Sequence, residues 1–171
     1  AAAAATAHVA FGVPLKVLVE REGGDGVPKV LRYLVEQFIA HGGTHTKGIF
    51  RLAADKNAVL SFTATAESGA EPLPEVKEPI DSGQLIKNWL RALPEPAMPA
   101  ELYEELIAPN NALLTFAKVP EPNRTLVGFV IKFLQYLNSP QFVQYTRMSA
   151  PNLASMFAPC LISCPYEDLS M

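Results

Sequence analysis

Charge is thin along this chain. Only 18% of its 171 residues are Asp, Glu, Lys or Arg, and fourteen Lys+Arg against seventeen Asp+Glu leave a formal charge of −3. That weak acidity argues against a nucleic-acid module, whose phosphate contacts demand a basic face. Cysteine is nearly missing: Cys160 and Cys164 stand four apart, a spacing that makes neither a disulfide framework nor a CxxC pair and favours a reducing, intracellular compartment. No apolar run approaches the ~18–20 residues of a membrane span. The opening Ala-Ala-Ala-Ala-Ala-Thr-Ala is short and lacks a basic flank, so it does not read as a signal peptide. With no initiator Met, we expect a fragment of something longer. Enzymatic signatures are also wanting, with no G-x-S-x-G elbow, no phosphate loop and no G-x-G-x-x-G. His41 and His45 have a helical zinc spacing, but Gly42 and Gly43 break any helix between them. They read as exposed loop histidines. Cys160 and Cys164 have no neighbouring His to act as base and read as buried or half-buried thiols.

What the chain does have is apolar content, 49%, and punctuation, fifteen Pro and ten Gly. The first supports a sizeable core and excludes a disordered chain. The dominant period is helical. Val27, Val30, Leu31, Leu34, Val35, Phe38 and Ile39 recur at i, i+3, i+4 and i+7, predicting a helix over about 28–41 that Gly42 stops. A shorter helix is expected from Pro14 to Glu20. Asp55 reads as the cap of a helix through about Ser68, and Asp81 or Ser82 as the cap of one ending at Leu93. Further helices are expected over 99–107, 111–118 and 120–137. A last one begins at Ser149 and is ended by Pro159. The expectation is an all-α domain of seven to nine helices with Pro-rich joints.

The cations are the informative polar residues. Gly48-Ile49-Phe50-Arg51 falls in a stretch without periodicity, where Ile49 and Phe50 would pin a loop to the core and hold Arg51 outward. A guanidinium keeps its charge and presents a planar fork suited to phosphate oxygens, although an ordinary salt-bridging surface arginine is the commoner outcome for such a residue. In the helix ending at Leu93, the residues Leu85, Ile86, Trp89, Leu90 and Leu93 form a stripe about 140° wide. Lys87 and Arg91 sit one above the other about 150° from its middle. Two cations then project from a rigid platform, either as a solvated face or as a docking site for an acidic or phosphate-bearing partner.

Several blocks together resemble the Rho GTPase-activating protein (RhoGAP) domain. Phe11-Gly12-Val13-Pro14-Leu15 looks like that family's opening, and Val27-Pro28 leads its first long helix. Gly48-Ile49-Phe50-Arg51 looks like its arginine-finger loop, and Leu85 to Pro96 like its most distinctive stretch. Asn123-Arg124-Thr125-Leu126, then Met148 with Asn152-Leu153-Ala154 and Phe157-Ala158-Pro159, match two later helices. The resemblance implies an all-α, RhoGAP-like fold around a four-helix bundle core, over residues 11–171, after an Ala-rich extension over 1–10. It implies stimulation of GTP hydrolysis by a GTP-bound Rho-family small GTPase. Arg51 would be the catalytic finger, Lys87 and Arg91 would contact the GTPase and support the finger, and Asn152 would lie at the same interface.

No cofactor of its own is implied, since GTP and Mg²⁺ belong to the partner. Neither nucleic acid nor a membrane-spanning segment is expected. The setting would be a larger multidomain protein in the cytoplasm, recruited to membranes by flanking regions. This chain carries Ala54 where the family usually has Gly, Lys77 where it often has His, and Arg147 where Lys is more frequent. The family normally adds a C-terminal helix, of which Tyr166–Met171 would be the beginning. The competing expectation is a RhoGAP-like interaction module that binds a small GTPase without accelerating hydrolysis, and retention of Arg51 favours the active form.

Overall fold

In the computed structural model, which describes residues 9–166, every regular element is helical. Nine α-helices follow one another among the described residues: α1 (Leu15–Glu22), α2 (Lys29–Ala40), α3 (Lys56–Glu67), α4 (Pro79–Ala92), α5 (Tyr103–Ile107), α6 (Ala112–Lys118), α7 (Asn123–Leu137), α8 (Pro140–Thr146) and α9 (Ala150–Leu161). Two 3-10 turns, Gly43–His45 and Ala100–Leu102, precede the 46–52 loop and α5.

The core is a bundle of α2, α4, α7 and α9. Helix α4 is its axis, packing against α2, α3 and α9, while α9 also packs against α7. The apolar stripe of α4 is buried as its period requires, with Leu85, Ile86, Trp89 and Leu90 almost without solvent contact. The Trp89 indole N–H donates to the Ala10 carbonyl at 2.8 Å. Glu67 at the end of α3 accepts from the backbone N–H groups of Val9, Ala10 and Phe11. Between them these bonds fasten the incoming chain to the bundle.

Asp55 caps α3 as expected, accepting from the N–H groups of Asn57 and Ala58 at 2.8 and 3.1 Å. Several elements differ from the sequence reading. Helix α4 begins at Pro79 behind Glu78 rather than at Asp81 or Ser82, because proline's fixed φ suits a first turn. Asp81 is buried and takes the Asp55 N–H at 2.8 Å instead. Pro159 lies inside α9, which runs two residues further to Leu161. The 99–107 segment is a 3-10 turn followed by a single short helix. Helix α8 was not anticipated. The suggested start of a further helix falls mostly on residues 167–171, and the Ala-rich opening mostly on 1–8, outside the described residues.

Gly43 is required by packing, since a Cβ there would stand 2.4 Å from the Phe38 ring. The 3-10 turn can therefore close directly onto α2, bringing the next residues over the bundle.

Candidate functional site

Residues 46–52 leave the 3-10 turn and lie over the polar face of α4. The turn is internally closed: the Ile49 N–H donates to the Thr46 carbonyl at 3.3 Å, and the Arg51 N–H to Gly48 at 3.0 Å. At one end the Gly48 N–H donates to the Thr146 carbonyl at 2.8 Å, tying the loop to the α8–α9 turn. In the middle Ile49 and Phe50 are buried. The Phe50 ring stacks on Phe38 at 5.1 Å and meets Phe157 edge-on at 4.8 Å. Reaching that slot puts Phe50 at φ 68, a left-handed conformation that is unfavourable for a residue with a Cβ.

Helix α4 accommodates this with two residues one turn apart. Gly83 leaves space for the ring, since a Cβ there would sit 3.1 Å from its Cδ1. Lys87 then reaches back, its Nζ donating to the Phe50 carbonyl at 2.6 Å. Lys87 is only 7% exposed, which corrects the sequence reading of a cation projecting into solvent. Burial pulls its ammonium below the ordinary lysine range, and the neighbouring Arg91 charge lowers it further.

Arg51 follows immediately. It is exposed, and its guanidinium has no hydrogen bond or ion pair among the described residues. Ala54 is outside the left-handed region, so the alanine is accommodated without strain.

Arg91 lies one turn beyond Lys87 and is exposed. Its charge, with that of Lys87, partly opposes the burial that pushes the Cys160 thiol up. Arg91 and Cys160 border an open cleft of about 550 Å³ between the ends of α4 and α9, with Pro159, Tyr103 and Cys164 along its sides. Asn152 is half-buried in the first turn of α9. Its Nδ2 donates to the Arg147 carbonyl at 3.3 Å, holding a turn in which Arg147 adopts φ 57.

Three of the expected residues are thus linked through the loop. Lys87 holds it, Arg51 is presented by it, and Asn152 secures the turn to which Gly48 is bonded. Arg91 shares α4 with Lys87 but opens onto the cleft. Thr146, whose carbonyl anchors the loop, was missed by sequence reasoning, and a backbone acceptor leaves no residue-type signature to find. The histidines are engaged separately. His41 faces Glu75 at 3.2 Å, while the His45 ring lies 4.7 Å from Tyr145 and its Nδ1 is 2.8 Å from the Thr44 hydroxyl.

The family model described as RhoGAP domain matches residues 28–166. Among curated relatives, GTPase activating protein homolog 2 of Dictyostelium discoideum is 29% identical over 94% of this chain and 19% of its own length. Mouse Rho GTPase-activating protein 22 is 30% identical over 92% of this chain and 24% of its own length. The chain therefore spans about a fifth to a quarter of these two relatives. Among solved structures, human Rho GTPase activating protein 15 superposes with a TM-score of 0.79 at 20% identity, covering 90% of this chain and 77% of that one. That likeness supports the fold.

Proposed function

The chain belongs to the RhoGAP domain family, and from that premise we propose that it accelerates GTP hydrolysis by a Rho-family small GTPase, supplying Arg51 in trans as an arginine finger. One observation carries the reading: an exposed guanidinium, without a partner among the described residues, stands on a loop whose backbone is anchored at two points just before it. Thr146 takes the Gly48 N–H, and Lys87 takes the Phe50 carbonyl, directly before the arginine. An anchored loop with a free charge loses little conformational freedom when that charge is used, which is the condition for electrostatic preorganisation.

Seated across the β- and γ-phosphates of a nucleotide in the partner's site, Arg51 would offset the negative charge that develops in the transition state. Such fingers are generally worth about 10³–10⁵ in rate, or roughly 4–7 kcal/mol of barrier. The domain brings no cofactor of its own in this reading, because nucleotide and Mg²⁺ arrive with the GTPase and catalysis is completed there. Lys87 acts by positioning the loop, while Arg91 and Asn152 lie on the face offered to the partner. The activity would belong to residues 11–171 within a larger multidomain protein, working in the cytoplasm and recruited to membranes by its flanking regions. Among the described residues no helix is long and apolar enough to cross a membrane.

The test is phosphate release from GTP-loaded Rho and Rac with catalytic amounts of the domain. Arg51→Ala should remove the acceleration, and Arg51→Lys should restore little of it, since an ammonium lacks the planar fork. Binding should persist in both. Equal acceleration by Arg51→Ala would take the arginine out of the reaction. A wild-type domain that binds without accelerating would be an interaction module.

A further inference from the structure

The seventeen carboxylates of this chain are unevenly placed. Residues 37–54 and 122–166 contain neither Asp nor Glu, although the whole chain is acidic. The fold brings these two stretches together. The Gly48 N–H meets the Thr146 carbonyl at 2.8 Å, and the 3-10 turn before the loop packs on α8 through His45, Tyr145 and Phe142.

That single backbone bond has a cation at each side. Lys47 precedes the donor and Arg147 follows the acceptor; both are exposed, and neither has an ion pair among the described residues. Arg147 leaves the chain from a fixed point, because its φ is 57 and its carbonyl is held by Asn152. The other cations of the two stretches besides Arg51 are placed differently. Arg124 is paired with Glu121 at 3.1 Å, and Lys132 borders a groove with Phe116 and Leu113. The first carboxylate after the loop, Asp55, is turned into the start of α3.

We propose that Lys47 and Arg147 form a basic collar beside the finger that steers and selects small GTPases carrying an acidic patch next to their nucleotide site. The inference rests on the functional reading above and extends it to partner choice. Uncompensated charges at the rim of an interface act mainly on the association rate and its salt dependence. Within one Debye length, about 8 Å at physiological salt, they are felt before contact is made. The collar therefore works on encounter, whereas Arg51 works on the reaction.

The experiment measures kcat and KM for hydrolysis by GTP-loaded Rho and Rac, together with stopped-flow association, from low salt to about half-molar salt. The Lys47→Glu/Arg147→Glu variant should lose about tenfold or more in kcat/KM at low salt, through KM and the association rate with kcat retained. It should converge on wild type at high salt. The milder Lys47→Ala/Arg147→Gln variant should move the same way by less, which keeps the test valid if the double reversal folds poorly. Lys16→Glu/Lys29→Glu changes net charge equally from α1 and the start of α2, and should track wild type. An equal loss in that control, a loss confined to kcat, or an undiminished salt dependence in both collar variants would overturn the proposal. If the wild-type domain fails to accelerate hydrolysis, the functional reading falls. The salt dependence of its binding to GTP-loaded Rho and Rac then still decides the collar.

Discussion

Lys87→Met separates the holding of the 46–52 loop from the stability of the bundle. The wild-type ammonium is buried and donates to the Phe50 carbonyl at 2.6 Å. A hydrogen bond with a charged donor contributes about 1.5–3 kcal/mol. Removing it frees Phe50 to leave its left-handed φ of 68, a conformation that costs about 1–2 kcal/mol for an L-residue. Taking ~2 kcal/mol as the bias lost, and ~1.4 kcal/mol per tenfold, the ratio of held to released loop should fall about thirtyfold, and kcat should fall with the held fraction.

Stability should respond differently. Burial, then Arg91, holds Lys87 below its ordinary pKa, so between the folded and unfolded values the unfolded chain binds more protons. Stability contributed by this group therefore rises with pH through that window, and the charged form is a cost below it. Met fills similar volume without that cost, so the melting temperature should hold and the alkaline rise should vanish. Single-turnover phosphate release and thermal melts across pH read both. A kcat within threefold of wild type, in a variant that melts normally, would show that the Phe50 ring alone fixes the loop and refute the reasoning.

Gly83→Ala attacks the same loop from beneath. Its Cβ would crowd Phe50 Cδ1 at 3.1 Å, and the ring is confined by Phe38 and Phe157. Denaturant melts should show a loss of about 1–3 kcal/mol together with reduced GTPase stimulation; an unchanged midpoint and rate would mean that the ring has room to move. The thiols should label in order. Cys160 is 3% exposed and its thiol is pushed up by burial, so iodoacetamide at neutral pH should modify half-buried Cys164 first. Equal labelling by mass spectrometry would contradict that assignment.

The helices with a full apolar period were legible because burial and period describe one fact. The stripes of α2 and α4 name residues that the structure buries, with Ile39 at the end of α2 the exception. The misses have local causes. Helix α8 is short and has no strongly apolar face, since its Phe142 and Val143 are only half-buried. Pro159 reads as a terminator, yet a proline forfeits only its own N–H bond and crowds one carbonyl. Residues beyond it continued the helix to Leu161. At the start of α4 a local rule lost to a distant contact, since Asp81 serves the Asp55 backbone and not its own helix end.

Lys87 exposes the deeper limit of periodicity. An angle of about 150° from an apolar stripe says that a residue does not face that part of the core; it does not say that the opposite face is open. Here a loop 37 residues earlier in sequence covers that face and takes the lysine with it. The pattern that encodes this is present in the sequence, but it is a row rather than a stripe. Gly83, Lys87 and Arg91 follow at i, i+4 and i+8 on one side of α4. The glycine makes space for the ring, the lysine fixes the carbonyl after it, and the arginine remains exposed beyond the covered part. A small residue, a long cation and a second cation in that order describe a helix built to seat an aromatic loop and still present charge past its edge. That arrangement lets a mildly acidic domain place positive groups where they are needed while its net charge stays negative.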